Sequence, residues 1–233
     1  MNGNRITSFF AGLIFLATST SVVAQNANND FLVWNSIGLT YKVNQKIKLS
    51  LEGHLRMKED AKTIDEHFTQ FEAQYELFKD FDIVVGGRYI FENDNQGKKQ
   101  GYENHLRYHV DLKYKVAVNQ LDIRLRARYQ NKNELGISEL DGDLPTQNIR
   151  FKTSFDYNIR KWPLDPEFAV EFFRRAQKGE AFRYSKIRLT LGTSYKIEKI
   201  GKFGVFYRYE DSARNIIPNE FSILGFKYTY YLN

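Results

Sequence analysis

In Leu121–Gln130 every second side chain is apolar: Leu121, Ile123, Leu125, Ala127 and Tyr129. The positions between them are Asp122, Arg124, Arg126, Arg128 and Gln130. A period of two belongs to a β-strand, whose successive side chains leave opposite faces. The segment therefore reads as a strand with one apolar and one ionic face. The pattern recurs along the chain and predicts strands over Phe31–Lys42, Lys46–Lys58, Glu66–Leu77, a fourth ending at Phe91, and Tyr102–Tyr114. After Leu121–Gln130 come Asn148–Asn158, Glu167–Arg175, Tyr184–Tyr195, Phe203–Glu210 and Phe221–Leu232. Eleven strands result.

The connections alternate in length. Short turns fall near residues 43–45, 78–80, 115–120, 159–165 and 196–202, and longer loops near 59–65, 92–101, 131–147, 176–183 and 211–219. Tyr41, Tyr75, Tyr114, Tyr157 and Tyr195 each precede a short turn, at uneven spacing. Unequal spacing fits an array of hairpins better than a propeller or solenoid. All four prolines (Pro145, Pro163, Pro166, Pro218) fall in connections or at a strand start, where a missing N–H costs least.

These strands run to roughly 9–13 residues against a usual 5–6, and about 9–11 suffice to cross a bilayer at a tilt. Lipid offers no hydrogen bonds, so a spanning sheet must close on itself. Tyr41, Tyr75, Phe91, Tyr102, Tyr114, Tyr129, Tyr157, Tyr195 and Tyr209 cluster at strand ends, where interfacial girdles sit in such barrels. A soluble barrel alternates too, with its apolar face inward. Strand length, girdle placement and the uniformly charged polar faces favour the membrane form. The fold class expected is all-β: an antiparallel up-and-down transmembrane β-barrel of about 10–12 strands. Bacterial single-chain barrels have even strand numbers, so the count of eleven implies a missed strand or one segment outside the wall, with Phe31–Lys42 the suspect.

The N-terminus departs from the alternation. Arg5 precedes the apolar run Ile6–Ala17, and Val22-Val23-Ala24 supplies a cleavage context before Gln25. That is a secretory signal peptide over residues 1–24, too short in its apolar core to span a bilayer. Residues 25–233 then form a single barrel domain. The chain has no cysteine, which excludes disulfides, thiolate metal sites and a lipid-bearing cysteine. The expected location is the outer membrane of a Gram-negative bacterium.

The net charge of +6 is spread over faces where bases alternate with acids, which argues against nucleic acid as a partner. The candidate lumen-lining residues are Arg56, Arg88, His105, Arg107, His109, Arg124, Arg126, Arg128, Arg150, Lys152, Arg188 and Arg208. Rings of Arg or Lys bias a pore toward anions. Small barrels, however, tend to be filled by side chains. The favoured expectation is a lumen filled or nearly filled by pairs with Glu52, Glu72, Glu76, Asp82, Asp111, Asp122, Asp156, Glu171 and Glu210, and the alternative is an anion passage. The expected role is a narrow passage for small anionic solutes or a structural part in the envelope; the alternatives are an outer-membrane barrel enzyme or a soluble periplasmic barrel binding an apolar ligand. No enzyme activity, catalytic residue, metal or cofactor is expected. The four histidines are His54, His67, His105 and His109, and the last two lie about 13 Å apart along a strand.

Trp34, the run Leu39-Thr40-Tyr41-Lys42 through Lys48-Leu49-Ser50-Leu51, and Gly87-Arg88-Tyr89 form a set with Arg126-Ala127-Arg128-Tyr129-Gln130, Arg188-Leu189-Thr190-Leu191-Gly192 and Tyr207-Arg208-Tyr209. In this set the chain resembles an uncharacterised family of bacterial outer-membrane β-barrel proteins, known only as a domain of unknown function. The resemblance covers essentially the whole chain after residue 24 and implies fold and location but no reaction. Phe226, Tyr228, Tyr230 and Leu232 also look like the terminal strand read by the outer-membrane assembly machinery, although Asn233 stands where an aromatic usually ends it. The partners implied are that machinery, outer-membrane lipid and lipopolysaccharide, with any small solute unknown.

Overall fold

The structure, a computed structural model, describes residues 28–94, 101–138, 140, 145–160, 162–177, 179–212 and 219–232. The signal peptide predicted over residues 1–24 lies outside the described residues, as do Asn95–Gln100, Asp141-Gly142-Asp143 and Asn215–Pro218 of the long loops. The eleven strands are β1 (Asn28–Lys42), β2 (Ile47–Lys58), β3 (Thr63–Phe78), β4 (Phe81–Asp94), β5 (Gly101–Val118), β6 (Leu121–Glu134), β7 (Thr146–Tyr157), β8 (Asp165–Gln177), β9 (Arg183–Ile197), β10 (Gly201–Ser212) and β11 (Asn219–Leu232). They pair in sequence order and close into one barrel.

Ten of the junctions are antiparallel hairpins, and the eleventh, between β1 and β11, is parallel. This corrects the even-number expectation, because among the described residues the ring closes with eleven strands and β1 lies in the wall. A sheet that reverses direction at each step returns with its last strand parallel to its first whenever the count is odd. β1 is paired along both edges, from Asn28↔Asn219 to Tyr41↔Leu232 on one side and from Val33↔Met57 to Lys42↔Lys48 on the other. Leaving it outside would expose rows of unpaired N–H and C=O on β2 and β11, which a closed barrel abolishes. It follows that β1 begins at the long-loop rim and β11 ends at the short-turn rim.

The strands run from 12 residues in β2 to 18 in β5; β2 starts one residue later than the alternation defined, and β5 extends well beyond the predicted Tyr102–Tyr114. The β5–β6 turn therefore shrinks to Asn119–Gln120. Asn119 and Asp80 adopt left-handed backbone (φ 54° and 65°), which Asn and Asp tolerate and tight hairpins favour. In the β1–β2 turn the Asn44 side-chain oxygen accepts from the N–H groups of Lys46 and Ile47 at 2.8 and 2.9 Å. At the other rim, Glu59, Asp60 and Ala61 are all left-handed. The Asp30 carboxylate holds that loop by accepting from the N–H of Glu59 at 3.0 Å and of Asp60 at 2.9 Å.

The apolar face points out. Leu51, Phe71, Val85, Leu112 and Leu191 are exposed, whereas Arg88, Asp111, Arg128, Glu171 and Glu210 are buried. Burial of unpaired charge in an ordinary protein core would be prohibitive, so the distribution is inverted relative to a water-soluble domain. A few aliphatic and aromatic side chains also point inward and brace the wall. Leu32 and Ile223, register partners across the parallel seam, are both buried, and so are Phe68 and Ile90, partners across β3 and β4.

The seam can be tested by oxidative cross-linking, since the chain has no native cysteine. Val33 and Leu224 are register partners, within the Cα separation a disulfide requires. Val33→Cys with Leu224→Cys is expected to form a disulfide seen as a faster-migrating circularised band. Val33→Cys with Tyr230→Cys should not. Cross-linking of the second pair, or of neither, would contradict the parallel register.

Candidate functional site

Alternation brings the charged faces of neighbouring strands together inside the barrel. There they surround a cavity of about 600 Å³ whose lining includes thirteen Lys or Arg and three Glu. Nine of the twelve residues predicted to line the lumen border it: Arg56, Arg88, Arg107, Arg126, Arg128, Arg150, Lys152, Arg188 and Arg208. Arg124 lies nearer the short-turn rim, paired with Asp156 and lining a separate cavity of about 170 Å³. His105 points inward near the long-loop rim, 3.3 Å from Glu92 and 3.5 Å from Glu103. His109 is sealed against the wall, its Nε2 2.9 Å from a Glu72 oxygen. It packs over Gly86, where a Cβ would come 2.7 Å from the His109 Nε2 and 2.9 Å from the Glu72 Cγ, so the wall is thin there by requirement.

Three carboxylates anchor five of these cations. Glu171 on β8 accepts from Arg126 at 2.5 Å, from Arg150 Nε at 2.9 Å and from Arg188 at 3.4 Å. Glu210 on β10 accepts from Arg188 at 2.5 and 2.8 Å and from Lys186 at 2.6 Å. Asp111 on β5 takes both forks of Arg128, at 2.5 and 2.7 Å. Bidentate pairs fix orientation as well as charge. Glu52 serves His54 at 3.0 Å and Lys227 at 2.7 Å, and Glu66 pairs with Arg56.

Aromatic rings supply a second kind of support. Trp34 projects inward from β1, with the guanidinium of Arg56 3.8 Å from its ring centroid, that of Arg188 at 5.1 Å and that of Arg208 at 5.4 Å. Phe68 carries Arg88 at 3.7 Å and Arg56 at 5.0 Å. Phe173 carries Arg150 at 4.5 Å, Lys186 at 4.8 Å and Arg188 at 4.9 Å. A ring face attracts a cation without adding a negative charge. The cations are held in place, yet the excess positive charge of the lining persists.

The lumen thus differs from the filled interior expected of a narrow barrel. Of the predicted partners, Glu72, Asp111, Asp156, Glu171 and Glu210 pair with arginines, but cations outnumber carboxylates around the cavity. Sequence reasoning did not single out Lys186, Lys227 and the three aromatic platforms. Each platform occupies the polar phase of its strand, as in Phe172-Phe173, where the second ring takes an inward position. That break in alternation was the available signal. Among the described residues no group of three or more His, Asp or Glu is placed to hold a metal ion.

A closed β-barrel with an ionic, predominantly cationic lumen is the class of protein this geometry defines. Residues 31–216 match the family described as "Protein of unknown function (DUF2490)", and the chain belongs to that family. No curated protein and no solved structure matches it.

The Asp111–Arg128 pair gives a stability test. Asp111→Ala strands a buried guanidinium and is expected to lower the unfolding free energy by about 3–5 kcal/mol in urea titrations of detergent-folded protein. Asp111→Leu with Arg128→Met removes both charges and should recover most of that loss. A single substitution no worse than the double would show that the pair is not structurally required.

Proposed function

We propose that the protein is an outer-membrane β-barrel of a Gram-negative bacterium whose lumen holds or passes small anionic solutes. The observation that carries this reading is the inversion of the two faces: aliphatic side chains outside, and a cation-rich chamber of about 600 Å³ inside. An outward aliphatic band suits hydrocarbon, and no free sheet edge remains to be solvated. Exposed rings flank that band. Tyr41, Tyr75, Tyr114, Tyr157 and Tyr195 lie toward the short-turn rim, and Phe91, Tyr102, Tyr129 and Tyr184 toward the long-loop rim. Such belts fit headgroup depth on both sides.

The partners this reading requires are lipid and lipopolysaccharide around the wall. It also requires the assembly machinery, for which the alternating end of β11 and the leader expected over residues 1–24 are the address. An apolar ligand held by a soluble barrel fits poorly, because the inward face is built from Arg, Lys and carboxylates.

The full chain expressed in a Gram-negative host is expected to fractionate with the outer membrane, to need detergent for extraction, and to migrate differently on a denaturing gel before and after heating. Recovery in the detergent-free soluble fraction would overturn the membrane reading. In planar bilayers the protein should prefer anions. Arg126→Glu, which places a second acid beside Glu171, should shift the reversal potential toward cations. An unchanged ion preference would exclude the lumen as the selective element.

A further inference from the structure

Arg88 on β4 and Arg107 on β5 are direct register partners. Both point into the lumen, border the cavity and are more than nine-tenths buried. Like charges placed opposite each other on neighbouring strands repel. A carboxylate between them would be the ordinary remedy, and none among the described residues is hydrogen-bonded to either. Arg88 donates its Nε and Nη2 to the neutral amide oxygen of Gln70, at 3.0 and 2.5 Å. Arg88 Nη1 and Arg107 Nε and Nη2 have no hydrogen-bond partner among the described residues. Glu66 is the nearby acid, and it is engaged by Arg56.

This contrasts with the opposite side of the lumen. Arg126, Arg150 and Arg188 share Glu171, and Arg188 also has Glu210. Phe68 supports Arg88 with its ring face, which attracts the guanidinium without taking up its N–H donors. Two guanidinium forks set side by side, with buried donors unused, present the geometry that binds the oxygens of a phosphate-type group.

We propose that Arg88 and Arg107, with Arg56 beside them, form a binding site for a doubly charged tetrahedral oxyanion, either inorganic phosphate or the phosphoryl group of a small solute. The inference rests on the reading of the lumen as an anion chamber and names the class of anion. Such an anion relieves the repulsion between the two arginines and accepts hydrogen bonds from guanidinium groups whose N–H donors are not all used within the described residues. Chloride, with one charge and no fork to match, does neither as well. The volume of about 600 Å³ accommodates a small phosphorylated molecule, since ligand pockets commonly span about 300–1,000 Å³.

The test uses the full-length protein folded in detergent and titrated with sodium phosphate, then with sodium chloride at matched ionic strength, read by thermal unfolding and calorimetry. Phosphate should raise the unfolding temperature well beyond chloride and give a saturable binding isotherm. Arg107→Gln and Arg88→Gln should each weaken phosphate binding roughly tenfold to a hundredfold. Without phosphate, Arg107→Gln should unfold no earlier than the parent, because it removes a repulsion. Arg107→Lys, which keeps the charge but loses the fork, should bind with intermediate affinity and guards against misfolding of the neutral variants. Pyrophosphate and glycerol phosphate in parallel distinguish a free anion from a phosphorylated solute. Equal stabilisation by phosphate and chloride, or undiminished binding in both Gln variants, would overturn the site. If these titrations fail while the protein still conducts anions in bilayers, only this site falls. If the protein binds phosphate but never inserts, the membrane reading falls and the site stands.

Discussion

Backbone pairing around a complete ring is the constraint on which everything else depends. Each strand must find two neighbours, and with eleven strands the ring closes only if the first and last run in the same direction. Closure then fixes the faces. A side-chain period of two means that a shift of one residue in any junction would exchange the wall's two faces, carrying arginines outward and leucines inward. Leu32 and Ile223 mark the seam, because the observed register sets these two buried apolar side chains directly opposite each other on the inner face.

Within the ring the electrostatics are deliberately incomplete. Glu171, Glu210 and Asp111 each hold one or more guanidiniums, and these nodes stiffen the middle of the barrel. The aromatic faces of Trp34 and Phe68 carry Arg56, Arg88 and Arg208, while Phe173 backs cations that Glu171 and Glu210 already hold. Adding one acid per base would have produced the neutral, filled interior usual for small barrels. Rings organise cations without cancelling them, which leaves a fixed positive potential in a confined, weakly screened space.

How much of this could be read from the chain depended on which physical rule was local. Alternation is local, so Leu121–Gln130 and the other strands were legible, as was the inward placement of Arg56, Arg88, Arg107 and the rest of the arginines. Strand ends were less so. Val116 and Val118 extend β5 beyond the regular pattern, and only pairing with Ile123 and Leu121 carries the ladder that far. Closure was expected, but its location was not legible, because β1 and β11 are joined by no turn and no residue pattern states that β1 completes the wall. Trp34 and Phe173 were unreadable for another reason. A ring in the polar phase looks like an error in the alternation until the guanidiniums stacked on it come into view. The open cavity could not be derived from residue types, since it depends on how many cations meet how few acids at the same depth.

The seam also sets the order in which the molecule can form. Ten junctions join neighbours in sequence, so each hairpin can zip from its turn at small entropic cost. The parallel junction instead unites residues separated by almost the whole chain, from Asn28↔Asn219 onward, and offers nothing until the other ten are in place. Long-range pairings of this kind are the slow ones. Short of that last pairing the sheet would carry two open edges, β1 on one side and β11 on the other, and the eleventh junction is what turns a ribbon into a vessel.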